Sequence, residues 1–379
     1  MKTFDEIFID KTKYGVKVQT SEYGEQGKHI IIDQGQTQIA GYTDCEDGLF
    51  KEVPVVIFGD HTRVIKYVDE PFFLGADGVK VLRSKDKNAN YKYLFYALKN
   101  AKIPNTGYNR HFKWLKEVKI KYPDRERQDE IVEILDKVSD LIQKRQDELS
   151  QLDDLIKARF VEMFGDPVMN PFSWEMKRFD EICENLDSRR KPISSGDRVE
   201  GIYPYYGASG IVDYVEDYIF DEDILLVSED GANLLMRSTP IAFSVSGKVW
   251  VNNHAHVVRF DKMSLQKYVE IYFSLIDISD SITGSAQPKL NQAKLNAMMI
   301  PIPEDTLLDR YCEFLYQVDK SKLMEEHRNN FAIKVILLTG LLQGDKIQHM
   351  ERKYSINKKL PHHNYWQGNE GGDRYDNKL

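Results

Sequence analysis

The sequence contains one long internal duplication, and this duplication limits the folds that the chain can adopt. The matching positions fall at the start, the middle and the end of each copy, in the pairs Phe4–Ile7 and Phe179–Ile182, Gly35 and Gly207, Tyr42 and Tyr214, and Pro123 and Pro303. The repeat unit of roughly 175 residues is far longer than the units of a solenoid. The sequence therefore predicts two diverged copies of one domain, and a molecule with two similar binding ends.

Composition limits the class of protein. A chain of 379 residues with 41% hydrophobic and 11% aromatic residues can form two to three domains with real cores. Three widely spaced cysteines, the lack of a signal-like start and the shortness of the apolar runs predict a cytoplasmic protein. The net charge of -8 weighs against a simple nucleic-acid binder but does not exclude one, because phosphate binding depends on local clusters.

Each copy is predicted to consist of a strand-rich domain followed by a long helix. The predicted segments are a first domain at residues 1–123, a first helix at 124–166, a second domain at 167–303, a second helix at 304–345 and a polar tail at 346–379. Asp124 is a suitable N-cap, and Gly165 followed by Pro167 is a typical helix end. The composition of the tail is typical of a segment without stable structure of its own.

The two helical segments carry apolar residues at the three- and four-residue steps of a coiled coil. The predicted packing positions are Ile131, Leu135, Val138, Ile142, Leu149, Leu152 and Ile156 in the first helix, and Leu308, Leu315, Phe331, Val335 and Leu338 in the second. The stretch 319–330 is mostly polar, so it is either irregular or faces a partner through charge. A helix of about 60 Å needs another long helix to cover its apolar seam.

The doubled plan and several short motifs resemble the DNA-specificity subunit of type I restriction–modification enzymes. The stretches that carry the resemblance are residues 59–63, 72–78, 108–112 and 163–167 in the first copy, and 174–182, 204–207 and 228–231 in the second. The resemblance covers roughly residues 1–345. Two features depart from the family. The stripe of apolar packing residues is interrupted in the middle of the second helix, and residues 285–289 replace the basic loop of the first copy.

The resemblance implies an α+β fold with two target-recognition domains, held apart by two long helices that pack as an antiparallel coiled coil. Each domain would read base edges in a major groove of double-stranded DNA, so the target would be bipartite and asymmetric. The subunit itself would not be an enzyme. It would direct methyltransferase and restriction subunits, and S-adenosylmethionine, ATP and Mg²⁺ would be bound by those partners.

Candidate DNA contacts are basic, amide or hydroxyl side chains in loops. They are His61, Thr62, Arg63, Tyr108, Arg110, His111 and Lys113 in the first copy, and Ser188, Arg189, Arg190, Lys191, Asn233, Arg237, Gln287, Lys289 and Asn291 in the second. A basic loop interleaved with aromatic residues can hold phosphates and place a guanidinium on guanine. The alternative for each is an ordinary solvated loop, or a side chain that stabilises a turn.

The sequence predicts no catalytic or metal-binding site. Neither Gly27-Lys28 nor Gly247-Lys248 is followed by Ser or Thr, so no phosphate-binding loop is predicted. His254 and His256 lie on one face of a predicted strand, but no third ligand has a suitable spacing, so no metal site is predicted.

Two other hypotheses are compatible with the sequence. The first is a coiled-coil scaffold that binds proteins without recognising DNA. The acidic composition and the polar stretch 319–330 support it. The second is an enzyme of a motif-poor class, such as a divergent nuclease.

Overall fold

The computed structural model describes residues 1–75, 77–107, 109–284 and 287–337, with side chains up to Lys322. The chain forms two compact units. Of the described residues, the first unit holds 1–144 and 329–337, and the second holds 145–328. Among the described helices, none is long and apolar enough to cross a membrane.

In its described residues, the first copy has nine strands and three short α-helices that lead into a long helix. In chain order, these elements are β1 (Lys2–Thr3), α1 (Phe4–Ile7), β2 (Phe8–Asp10), β3 (His29–Ile32), β4 (Gly41–Thr43), β5 (Val55–Gly59), β6 (Ile65–Val68), β7 (Phe72–Leu74), β8 (Val79–Ser84), α2 (Tyr91–Lys99), α3 (Phe112–Lys116), β9 (Lys119–Ile120) and α4 (Arg125–Phe164).

The second copy has the same plan with a few additions. Its elements are β10 (Glu175–Arg178), α5 (Phe179–Ile182), β11 (Glu184–Asn185), β12 (Glu200–Gly207), β13 (Gly210–Val215), β14 (Phe220–Asp221), β15 (Ile224–Ser228), α6 (Asn233–Met236), β16 (Ala242–Val245), β17 (Lys248–Val251), β18 (Ala255–Arg259), α7 (Met263–Leu275), α8 (Gln292–Asn296), β19 (Met299–Ile302) and α9 (Asp305–Leu337).

Sheet topology confirms the duplication. The first copy has a sheet of order β2-β8-β5-β6 and the second has β11-β18-β15-β16. A second sheet, β4-β3-β7, corresponds to β13-β12-β17-β14. In the first copy β3 pairs with β7 in parallel, and in the second copy their counterparts β12 and β17 also pair in parallel. The predicted α+β class with two similar domains is therefore confirmed.

The central strand of each main sheet is apolar on both faces. All side chains from Val55 to Phe58 are fully buried, and so are those from Ile224 to Val227. Such continuous apolar runs are typical of strands that are covered on both sides. The run in each copy therefore fixes the strand around which the core assembles.

Each of the two domains begins and ends in one pair of antiparallel strands. In the first copy β1 pairs with β9, and in the second β10 pairs with β19 over four residues each. Because β9 and β19 lead into α4 and α9 respectively, this pair fixes where each domain meets its long helix.

In the first unit, the start of α4 packs on the recognition domain. The backbone N–H of Arg127 donates to Asp124 Oδ1 at 2.9 Å, as expected for the predicted N-cap. Ile131 and Leu135 lie in the same core cluster as Leu94 of α2. Tyr96 and Lys92 of α2 bind the Asp136 carboxylate, both at 2.7 Å. The first part of the predicted seam is thus buried against a domain.

In the second unit, the end of α4 packs against the start of α9. Tyr311 donates its hydroxyl to the Ile156 carbonyl at 3.0 Å, and its ring contacts Phe160. Further along, Lys322 binds Asp153 at 2.5 Å. Contacts advance along α9 while they recede along α4, so the two helices run antiparallel over this stretch. Coiled-coil packing in the strict sense stays a prediction.

The remaining packing predictions have mixed outcomes. Leu308, Leu315 and Ile156 are buried in one core cluster, with Leu152 packed against it. Three others, Val138, Ile142 and Leu149, are half-buried along α4. The side chains of Phe331 and Val335 in α9, together with Leu338 and the tail 346–379, lie outside the described residues.

The polar middle of the second helix is helical. α9 is continuous from Asp305 to Leu337, so the alternative of an irregular stretch at 319–330 is wrong. Glu, Lys and Met are good helix formers, which allows the helix to continue where the apolar seam is interrupted.

Candidate nucleic-acid interface

Four loops of the first recognition domain meet around Asp60, directly after the central strand β5. The Asp60 backbone N–H donates to the Gly78 carbonyl at 2.7 Å, and its carbonyl accepts from the His111 backbone N–H at 2.7 Å. The Asp60 carboxylate accepts from the backbone N–H of Phe112 at 2.7 Å. We call this meeting point of loops the loop junction of the first domain.

The hairpin between β3 and β4 completes this junction through Gln34. The Gln34 carbonyl accepts from Thr62 Oγ1 at 2.6 Å, and its side-chain oxygen accepts from the His61 backbone N–H at 3.1 Å. Its side-chain amide donates to the Asp77 carbonyl at 2.9 Å. Gly78 has a φ of +96°, and a Cβ there would meet the Gln34 amide at 2.5 Å, so only glycine fits.

The second recognition domain builds the same loop junction with different side chains. The Glu229 backbone N–H donates to the His254 carbonyl at 2.9 Å, and the Glu229 carbonyl accepts from the Leu290 N–H at 2.8 Å. Ser228 donates its hydroxyl to the Ala208 carbonyl, so here too a hydroxyl at the end of the central strand is bound to the hairpin between the third and fourth strands, as Thr62 is bound to Gln34 in the first domain. Equivalent loops are therefore joined by equivalent backbone contacts.

A network of charges fills the second junction. Arg190 binds Glu229 at 2.6 Å and Asp187 at 3.2 Å, and Lys289 binds the other oxygen of Glu229 at 3.0 Å. The ring of His256, which is only 1% exposed, lies 2.6 Å from Asp187. Burial raises the pKa of Glu229, but the hydrogen bonds from Arg190 and Lys289 outweigh it, so the net pKa is lowered. These carboxylates are thus held ionised by internal cations.

Three groups in this network have the spacing of metal ligands. Ligand atoms of Asp187, Glu229 and His256 lie within 4.8 Å of one another. The sequence had paired His256 with His254, but His254 binds Asp230 at 2.9 Å. Arg190 and Lys289 pair with these carboxylates, so the cluster forms a salt-bridge network.

In the first domain, the predicted DNA-contact residues separate into exposed and internal groups. Arg110, Lys113 and Thr62 are exposed at the junction. His111 is fully buried, and its ring bonds the Asp60 carbonyl at 3.1 Å. The prediction of a DNA contact for His111 is therefore corrected: it holds the junction together.

Two further predictions of the first domain concern Arg63 and Tyr108. Arg63 has a φ of +61° and donates to the Ile103 carbonyl at 3.3 Å. It therefore stabilises its own turn against the loop after α2. His61 is half-buried beside it. Tyr108 lies outside the described residues.

In the second domain, several predicted contacts serve the fold. Arg237 donates to the carbonyls of Phe273 and Ile276 at 2.9 and 3.0 Å, at the end of α7. Asn291 caps α8 through a bond from the Lys294 N–H, and Asn233 accepts from the Thr239 N–H. Arg237 is therefore corrected from a DNA contact to a structural group, whereas the DNA contacts of Asn233 and Asn291 stay predictions beside their structural bonds.

Other candidates of the second domain remain at the surface. Ser188, Lys191 and Gln287 are exposed. Arg189 is bound to Glu222 at 2.6 Å, which leaves its charge locally balanced. The exposed basic surface near this junction is thus smaller than the run of three basic residues after Ser188 suggested.

Sequence reasoning missed the residues that build the junctions. Gln34, Asp60 and Asp187 are polar and partly or fully buried, and each bonds to loops far along the chain. The only available signal was the Gly-Asp turn after an apolar run, which occurs in the first copy at Gly59 and has a Ser-Glu-Asp counterpart after Val227.

A groove of about 1670 Å³ opens in the second unit beside the base of α9. Tyr206, Phe243 and Tyr316 contribute aromatic walls, and Lys267 and Asp319 contribute charge. Burial raises the pKa of the Asp319 carboxyl despite the nearby lysines. The second copy therefore carries an amphipathic concave surface in addition to its loop junction.

The chain contains two copies of one α+β domain. Each copy is closed by a strand pair and continued by a long helix, so the chain is a modular protein with two domain-and-helix units. Residues 4–151 and 171–332 match the family of the type I restriction modification DNA specificity domain. The chain therefore belongs to the type I restriction–modification DNA-specificity family, and the resemblance noted in the sequence is confirmed.

Individual relatives agree with this assignment. A type I restriction enzyme specificity subunit of Haemophilus influenzae is 38% identical over 129 residues, which cover 34% of this chain and 33% of the relative. The EcoR124I/EcoR124II specificity subunit of Escherichia coli is 26% identical over 345 residues, or 81% of this chain and 83% of the relative. The chain thus spans about a third of the first relative and most of the second.

A solved structure has a similar fold. The crystal structure of the type I restriction–modification S subunit from M. genitalium matches with a TM-score of 0.55 at 17% identity, covering 90% of this chain and 94% of that one. At this identity, the match supports the fold alone.

Proposed function

We propose that the protein is a non-catalytic recognition subunit that reads a bipartite, asymmetric DNA target through its two domains. The observation that carries this proposal is the repeated loop junction. Asp60 and Glu229 occupy equivalent places and make equivalent backbone bonds, while the side chains around them differ. A common scaffold with different side chains suits two domains that read different bases.

Family membership favours this function over the protein-binding scaffold. A scaffold would need the long helices but would not need two copies of a DNA-specificity domain. The acidic net charge is compatible with DNA binding, because phosphate binding depends on the local charge at the contact surface rather than on the total charge of the chain.

The chemistry would be supplied by partner subunits. On this proposal, methyltransferase subunits bind S-adenosylmethionine, restriction subunits bind ATP and Mg²⁺, and this chain brings both to the target. Support for such assembly comes from the family and from the long helices, which offer exposed apolar side chains such as Leu155, Val161 and Tyr316 as contact points for another protein.

The decisive experiment is to co-express the chain with a type I methyltransferase subunit and map methylated adenines in the host DNA. We expect a new motif of two specified halves separated by a fixed, unspecified gap. The matched control is the methyltransferase subunit expressed alone, which should give no new motif. A stable complex without new methylation would contradict the proposal and would revive the scaffold hypothesis.

A further inference from the structure

Three lysines beside the first loop junction carry charges that the protein itself does not neutralise. They are Lys80 of β8 and Lys113 and Lys116 of α3. Among the described residues, none of their ammonium groups forms an ion pair with a carboxylate. In the second domain, by contrast, Arg190 and Lys289 at the junction are both paired with Glu229.

Aromatic rings hold these three charges in place. The Nζ atoms of Lys80 and Lys116 lie 5.0 and 5.2 Å from the centre of the Phe112 ring, and Lys113 Nζ lies 4.8 Å from that of Trp114. A cation over an aromatic face is attracted by the ring quadrupole, which restricts a side chain that is otherwise flexible. Two like charges therefore share one ring without a counter-ion from the protein.

Phe112 is itself fixed to the core and to the junction. Its ring packs edge-on against Phe4 at 5.7 Å and lies 6.3 Å from Phe58. Its backbone N–H donates to the Asp60 carboxylate at 2.7 Å. Lys80 and Lys116 are thus linked through Phe112 to Asp60, the residue around which the four loops meet.

We propose that Lys80, Lys113 and Lys116 form a phosphate clamp that grips the DNA backbone beside the bases read by the first domain. This inference rests on the proposed function and assigns these residues a role different from base reading. An ammonium is a point charge that suits phosphate oxygens, whereas it carries little sequence information. The clamp would set the register of the first domain on the duplex.

The second domain has no equivalent clamp within the described residues. Its equivalent of α3 is α8, whose one basic residue is Lys294, and Lys289 before it is bound to Glu229. The lysine charges beside the first junction are not neutralised by carboxylates, whereas the charge of Lys289 at the second junction is neutralised by Glu229. We therefore expect the first domain to contribute more of the electrostatic binding than the second.

The test uses the full chain in complex with its methyltransferase subunits and a variant with Lys80→Gln, Lys113→Gln and Lys116→Gln. Dissociation constants are measured over a series of KCl concentrations for the cognate duplex and for an unrelated duplex. Each lost phosphate contact removes about 0.9 from the slope of log K against log salt. We expect a decrease in slope of about 2.7 for three contacts, with equal weakening on both duplexes.

Two control variants make the result specific. Lys51→Gln, Lys85→Gln and Lys87→Gln remove the same charge from exposed lysines at the opposite ends of β5 and β8, and should leave the slope unchanged. Replacing the three clamp lysines by arginine keeps the charge and should retain the slope. Equal thermal unfolding of all variants would show that the fold is intact.

The outcomes separate the clamp from the proposed function. If the wild-type complex binds its target and the clamp variant keeps the wild-type slope, the clamp is refuted while the recognition role stands. A loss confined to the cognate duplex would refute it too, because it would assign the lysines to base reading. If the wild-type complex has no DNA target, both the proposed function and the clamp are overturned.

Discussion

At the scale of single residues, the same amino acid has opposite roles in the two domains. Arg110 of the first domain is exposed at the loop junction. Arg237 of the second uses its guanidinium to bind the last carbonyls of α7. Helix ends leave such carbonyls unsatisfied, and a cation there also complements the helix dipole.

This difference gives a paired prediction. Arg110→Ala should weaken binding to the cognate duplex by about 1–3 kcal/mol, the usual cost of losing a guanidinium that reads a base, and should change the free energy of unfolding by less than about 0.5 kcal/mol. Arg237→Ala should lower the free energy of unfolding by about 2 kcal/mol through two lost charged hydrogen bonds.

Duplex titration and denaturant unfolding of both variants provide the measurements. Unchanged cognate binding by Arg110→Ala at matched salt would remove Arg110 from the reading loop. Unchanged stability of Arg237→Ala would show that its two backbone bonds are not needed to end α7.

At the scale of elements, an aromatic cluster packs the end of α4 against the start of α9 in the second unit. Phe160 is fully buried, stacks on Tyr268 at 5.1 Å and meets Tyr311 edge-on at 5.8 Å. Tyr268 belongs to α7, so the cluster joins both long helices to the recognition domain. Aromatic pairs in such geometries add to the stabilisation that comes from their buried area.

Phe160→Ala should therefore lower the free energy of unfolding of the full chain by about 3–5 kcal/mol, because it leaves a cavity at the centre of this cluster. Leu155→Ala on the same helix is a matched control, since Leu155 is 47% exposed and its loss should cost less than about 0.5 kcal/mol. Chemical denaturation of both variants measures the difference. Equal stability of the two would mean that the cluster does not hold the helices to the domain.

At the scale of the whole molecule, the duplication predicts that each recognition domain is an exchangeable module. The second domain starts and ends in the pair β10 and β19, with Glu175 opposite Ile302 and Arg178 opposite Met299. A cut outside this pair leaves its four-residue ladder intact. The boundaries 167–303 satisfy this condition, since they enclose both strands and exclude both long helices.

Replacing residues 167–303 by the corresponding segment of a relative should change one half of the methylated motif and leave the other half and the gap unchanged. The reciprocal exchange of residues 1–123 should change the opposite half. Methylation mapping after co-expression with the methyltransferase subunit reads out both. A single exchange that alters both halves would show that the domains do not read independently.

The sequence by itself determined the features that are encoded locally or by repetition. The duplication, the strands around Val55 and Ile224, and the limits of α4 near Asp124 and Gly165 follow from short-range patterns and from a comparison of the chain with itself. Helix caps and apolar runs are set by neighbours within a few residues, so they can be recognised without knowledge of the fold.

Only the tertiary structure decided which basic residues are free for a ligand. His111 bonds Asp60 across 51 residues, Arg190 bonds Glu229 across 39, and Arg237 bonds Phe273 across 36. In the sequence, these residues and the exposed Arg110 look alike. The reason is physical: a buried charge must find a partner, and the partner is brought near by the packing of the sheets rather than by its position in the chain.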